Sequence, residues 1–108
     1  MSEASTLTNK IINHIYSSGG YAFRASSTGI YDSKMGGYRT APKKGVSDIL
    51  AVFKGKFIAV EVKIGKDKLS LEQEGFLKNI EFYGGCSFVA TSFEDFLSQW
   101  KLSTLSPT

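Results

Sequence analysis

Two apolar runs on either side of a short basic turn limit this chain more than any other feature. Ser47-Asp48-Ile49-Leu50-Ala51-Val52-Phe53 and Phe57-Ile58-Ala59-Val60-Glu61-Val62-Lys63 flank Lys54-Gly55-Lys56. Strand formers around a glycine-containing turn are a hairpin signal. If Lys54-Gly55 is a two-residue turn, Phe53 faces Lys56 and Asp48 falls opposite Glu61. Directly opposed side chains share a face, roughly 5 Å apart. Alternation at a rise of about 3.3 Å per residue puts Lys63 on the same face, roughly 7 Å beyond Glu61. A three-residue turn would shift the pairing and end the opposition of the two acids.

Like charges facing each other across a sheet are destabilising, and these two have Ile49, Leu50, Val60 and Val62 as neighbours. Two arrangements relieve the repulsion. A hard divalent cation takes carboxylate oxygens and keeps waters and phosphate oxygens as its other ligands, as Mg²⁺ does. Alternatively, Lys63 compensates both acids in a purely structural ion cluster, which perturbs the charges in the same way.

The 108 residues suffice for one domain with one hydrophobic core, and a single domain over 1–108 is expected. The opening Met1-Ser2-Glu3-Ala4-Ser5-Thr6 lacks the basic start and apolar core of a signal peptide, and no apolar run is long enough to span a membrane. A cytoplasmic, non-secreted protein is expected. Cys86, the only cysteine, lies in an apolar run and reads as a small core residue, which sets aside disulfides and a cysteine zinc site. His14, next to Ile15 on the first helix, reads as a surface side chain rather than a general base.

Net charge is only +3, but from Arg24 to Lys68 there are ten Lys or Arg against four Asp or Glu. The acid-bearing hairpin lies within this basic section, a distribution suited to a polyanion or to a merely solvated face. Arg24, Lys34, Arg39, Lys43, Lys44, Lys66 and Lys68 are its candidate DNA contacts.

Leu7, Ile11, Ile12 and Ile15 recur at helical spacing after the candidate caps Ser5 and Thr6, and Gly19-Gly20 ends that helix. Tyr21 to Ala25 alternates as a short strand. Residues 26–45, rich in Gly, Ser and basic side chains, read as a long loop, suited to a flap in which Tyr31 and Tyr38 stack on an unpaired base. Beyond the hairpin, Ser70 and Gln73 form a capping-box pattern ahead of a helix with Phe76, Leu77 and Ile80 on one face. Cys86 to Thr91 reads as a fourth strand, Ser92 as the cap of a last helix through Phe93, Phe96, Leu97 and Trp100, and 103–108 as a fraying tail. The result is an α/β fold: a meander of three strands, with a crossover helix bringing the fourth strand in parallel.

Asp48, the spacing to Glu61-Val62-Lys63, Gln73 on the following helix and Gly84-Gly85 before the last strand together resemble the PD-(D/E)XK nuclease superfamily. Within it, Lys44-Gly45-Val46-Ser47-Asp48-Ile49-Leu50, Gly55 to Lys63, and Leu69-Ser70-Leu71-Glu72-Gln73 with Phe76-Leu77 are most similar to the VRR-NUC (virus-type replication-repair nuclease) family. Ser47 stands where the superfamily has proline. The resemblance implies a restriction-endonuclease-like αβββαβ core, a central mixed sheet flanked by helices. It also implies that Asp48, Glu61 and the Val62 backbone carbonyl hold Mg²⁺ or Mn²⁺, with Glu3 as a further candidate ligand. Lys63 would orient or deprotonate the attacking water, and Gln73 would join the active site while also capping its helix.

Small stand-alone members resemble phage enzymes that act as homodimers on branched DNA such as four-way (Holliday) junctions. A metal-dependent endodeoxyribonuclease of that type, in a bacterial or phage-infected cell, is therefore expected. A flap-, end- or fork-processing nuclease, and a non-catalytic DNA-binding module on the same fold, are the alternatives.

Overall fold

In the computed structural model, residues 2–25, 30–32, 37–39 and 45–105 are described. The chain opens with helix α1 (Glu3–Ser17), followed by strand β1 (Tyr21–Arg24) and the short strands β2 (Ile30–Asp32) and β3 (Gly37–Arg39). Strands β4 (Ile49–Phe53) and β5 (Lys56–Val62) come next, then helix α2 (Leu71–Phe82), strand β6 (Cys86–Ala90) and helix α3 (Phe93–Leu105). Four strands form one mixed sheet in the order β1-β4-β5-β6, antiparallel except for the parallel β5-β6 pair. This is the expected α/β arrangement of a meander and an α2 crossover, with the pair β2-β3 between β1 and β4.

The β4-β5 ladder pairs Phe53 with Lys56 and Ile49 with Val60, so the turn is the two-residue Lys54-Gly55. Both turn residues have positive φ, 51° and 80°, as the type I′ hairpin turn requires. Glycine reaches that region freely, whereas lysine is strained there. The register that opposes Asp48 to Glu61 is therefore set at the far end of the hairpin.

Alternation gives the sheet two unlike faces. Ile49, Ala51 and Phe53 of β4 and Ile58, Val60 and Val62 of β5 join Leu7, Ile11 and Ile15 of α1 and Phe96 and Trp100 of α3 in the core. Truncation of a buried aromatic such as Phe96 typically costs about 3–5 kcal/mol. The other face is covered by α2 only over β5 and β6. Strand β5 is thus buried on both sides from Ile58 to Val62, as its near-continuous apolar run suggests.

Four details differ from the sequence reading. The cap of α1 is Ser2, whose hydroxyl accepts from Ser5 N at 3.1 Å, so Ser5 and Thr6 lie inside the helix. The segment 26–45 is not a plain loop, because Ile30–Asp32 and Gly37–Arg39 pair antiparallel despite their lack of apolar alternation. The tail does not fray from Ser103: α3 runs to Leu105, and Ser103 and Thr104 are half-buried beside Phe53. His14 is no free surface group, since its ring meets Phe93, Phe96 and Trp100 edge-on at 5.6 to 6.1 Å and helps to pack α1 on α3. Cys86 is half-buried against the core and free.

Candidate active site

The ladder stops at Ile49-Val60, and the Asp48 side chain continues it: its Oδ2 accepts from Val62 N at 2.7 Å. Such a charge-assisted bond fixes the carboxylate over the end of β5. On the other side, Ala25 N donates to the Asp48 carbonyl at 2.9 Å, so Asp48 is held from both neighbouring strands. Sequence reasoning used Val62 through its carbonyl; its N–H is the contact that the fold adds.

Glu61 is 1% exposed, a consequence of its place on the doubly covered strand. Its pKa is pushed from 4.5 up to about 9, first by burial, then by a hydrogen bond with Asp48 and by the Asp48 charge, while Lys63 pulls it back down. Two carboxyls that share a site cannot both ionise cheaply. Without a cation the pair holds a proton between them. Glu61 Oε2 is buried and has no hydrogen-bond partner.

Those features fit a hard divalent cation, which would displace the shared proton and occupy the orphaned oxygen. Among the described residues no group of three or more His, Cys, Asp and Glu is gathered, so Glu3 does not join the pair. It lies at the start of α1, lining a hollow of about 350 Å³ with Lys10, Ile64 and Ser92. A cation held by Asp48 and Glu61 would complete its shell with carbonyl, water and phosphate oxygens.

Gln73 is tied into its cap in both directions: its Oε1 accepts from Ser70 N at 2.9 Å, and its N–H donates to Ser70 Oγ at 3.1 Å. Its side-chain amide nitrogen is the end left for another acceptor. The segment that leads into Asp48 meets the first turn of α2, where Gln73 lies, at Gly45, with φ +82°. A Cβ there would lie 2.3 Å from Glu72 O, so only glycine lets the segment leading into Asp48 rest on the first turn of α2.

The basic candidates divide. Arg24 turns to α1, where its Nη2 donates to Ser5 O at 3.3 Å and Asn9 Oδ1 at 3.2 Å. Its register partner Ile49 faces the core, so Arg24 is on the opposite side of the sheet from the acid pair. Lys66 and Lys68 are exposed just beyond Lys63. Lys34, Lys43 and Lys44 lie outside the described residues, and Arg39 ends β3.

Sequence reasoning missed the common orientation of the helices. The first turns of α1 and α3 meet beside Ile64, and that of α2 rests on Gly45, so three amino ends converge on the Asp48-Glu61 end of the sheet. Unpaired N–H groups and the helix dipole favour anions there.

An acid pair at the end of a central hairpin, Glu61 buried and Asp48 half-buried, with the crossover helix beside it, belongs to a mixed-sheet α/β protein of restriction-endonuclease-like fold. A solved structure shares that architecture: Hjc, a Holliday junction resolvase from the archaeal hyperthermophile Archaeoglobus fulgidus, matches with a TM-score of 0.56 and 21% identity. The match covers 82% of this chain and 67% of that one. No family model and no curated protein matches the chain.

Proposed function

We propose that the chain is a metal-dependent endodeoxyribonuclease that hydrolyses phosphodiester bonds in branched DNA, four-way junctions in particular, as a homodimer. The observation that carries this reading is the Asp48-Glu61 pair, with Glu61 buried and one of its oxygens unpartnered beside Lys63. The shared fold with a Holliday junction resolvase supports the class of substrate, and the resemblance to the VRR-NUC family supports the residue roles.

Asp48 and Glu61 would hold Mg²⁺ or Mn²⁺ with the Val62 carbonyl, and Glu3 remains the candidate for a further, water-bridged contact. When bound, the cation would supply Lewis acidity at the scissile phosphate and lower the pKa of a nearby water. Asp48, pinned by Val62 N, would keep its second oxygen aimed at that position. Lys63 would orient the attacking water and place positive charge where the phosphate becomes more negative. The water oxygen bonds to phosphorus, the bond to the 3′ oxygen breaks, and a 5′-phosphate and a 3′-hydroxyl result. Gln73 would hold a substrate or water oxygen through its amide nitrogen. Lys66 and Lys68, with Arg39, Lys34, Lys43 and Lys44, would grip the flanking backbone, and Arg24 would act through α1.

Among the described residues no helix is long and apolar enough to cross a membrane, and a place within a bacterial or phage-infected cell fits a DNA substrate. A panel of labelled linear, flap, fork and four-way DNAs with Mg²⁺, Mn²⁺ or chelator tests the proposal. Cation-dependent cutting strongest on the four-way substrate is expected. Preference for flaps or ends would replace the substrate class, and binding without cutting under every condition would leave only a DNA-binding module.

A further inference from the structure

The part of the sheet that α2 leaves uncovered is apolar. Tyr21 and Phe23 of β1, Val52 of β4 and Phe57 of β5 are exposed on the face that carries Asp48 and Glu61. The end of α2 walls this floor with Phe82 and Tyr83, 81% and 82% exposed, their rings packed edge to face at 5.0 Å. Tyr83 joins the wall to the floor, lining one hollow with Phe57, Ile80 and Gly85.

We propose that this face is the surface through which two copies of the chain associate, and that it makes the homodimer of the preceding section. Area and charge single out a second copy. At 150–250 Å² for a fully exposed aromatic, the six side chains present on the order of 700 Å². That exceeds the usual largest apolar patch of a monomer and approaches the roughly 800 Å² per partner of a stable interface. The floor positions Tyr21, Phe23, Leu50, Val52 and Phe57 carry no charge, the composition of an interface core rather than of a phosphate-tracking groove. The patch also has a sheet floor and one wall, so a two-fold axis would set the wall of each copy against the open β1 side of the other.

The arrangement has a consequence for cutting. Asp48-Glu61 lies four residues along the strands from Val52-Phe57, about 13 Å at 3.3 Å per residue. A two-fold axis near Val52-Phe57 separates the two acid pairs by at most about 26 Å along the strands, leaving both open at opposite ends of the shared face.

Sedimentation velocity of the full chain over a wide concentration range, with Phe57→Glu and Tyr83→Lys alongside, tests the surface. A wild-type dimer is expected, with each substitution raising its dissociation constant at least about 100-fold, because every change acts twice across a two-fold axis. Both positions are exposed, and unchanged circular dichroism would establish that the variants fold. A wild-type monomer at all concentrations overturns the inference, as does a dimer untouched by both substitutions. Monomeric wild type whose single-strand binding weakens in Phe57→Glu would reassign the face to nucleobases. The inference rests on the proposed nuclease only for its purpose: Asp48→Ala should lose cutting and keep the dimer, so each idea can fail without the other.

Discussion

The two ends of the β4-β5 hairpin are built from the same strands and have opposite character. At one end Glu61 is buried, Asp48 is half-buried and hydrogen-bonded to Val62 N, and the first turns of α1, α2 and α3 lie at that end of the sheet. At the other, the turn is exposed, Lys54 lies 5.2 Å over the Phe53 ring, and the helices arrive by their carboxyl ends. Gly20 after α1 approaches Val52 O and Gly85 after α2 approaches Phe57 O, while Ser103 and Thr104 of α3 line a hollow of about 530 Å³ with the turn. Helix carboxyl ends repel anions, and among the described residues no acid pair lines that hollow. Charge and desolvation distinguish the two ends.

The contrast breaks most completely if the acid pair is removed. Asp48→Ala and Glu61→Ala should each lower Mg²⁺-dependent cutting by at least about 10²–10³-fold, with DNA binding in a filter or gel-shift assay largely kept. Full activity in Asp48→Ala would move the active site elsewhere. Gly45→Ala should come next, since it combines a positive φ with a clash against the Glu72 backbone. A loss of about 2 kcal/mol or more in urea unfolding, together with weaker cutting as α2 is pushed from Asp48, is the expected outcome. An unaltered variant would mean that α2 is not positioned by this contact.

The pH response separates the two ends as well. Between the ordinary carboxyl pKa of 4.5 and about 9, folded Glu61 keeps a proton that the unfolded chain has released. Stability therefore falls as pH rises through that window. In chelator, wild type should unfold at lower urea at pH 9 than at pH 6, and Glu61→Gln should flatten the trend. A cation must displace the same proton, so Mg²⁺ should restore stability increasingly as pH rises. Flat denaturation midpoints from pH 6 to 9 in the metal-free wild type would contradict the shared-proton arrangement.

Smaller changes refine the picture. Lys54→Asn places a residue tolerant of positive φ in the turn and should stabilise by up to about 1 kcal/mol without changing cutting. Ser47 is fully buried beneath the site, and its hydroxyl has no hydrogen-bond partner. Ser47→Ala removes a polar group that is costly to bury and should be neutral or mildly stabilising in the same unfolding assay. A loss above about 1 kcal/mol would mean that the hydroxyl is used.

Much of this architecture is legible in local chemistry. Alternation and the Lys54-Gly55 turn set the strands and their register, and the Ser70-Gln73 capping box is present as read. The parallel β6 follows from the need to bury one face of the crossover helix. Where sequence reading went astray, distant contacts decided. Ser103 and Thr104 look like a polar tail until α3 is packed beside Phe53, and His14 looks like a surface group until Phe93, Phe96 and Trp100 close over it. The β2-β3 pair escaped because its short strands carry little apolar alternation.

By itself, then, the sequence determined that Asp48 and Glu61 meet, because hairpin register depends only on turn length and a period of two. Only the tertiary structure decided how strongly they interact. Covering β5 on both faces removes water from Glu61, Val62 N pins Asp48, and the three helices place their amino ends at that end of the sheet. Desolvation and helix orientation are properties of the packed whole, and no local pattern of residues encodes them.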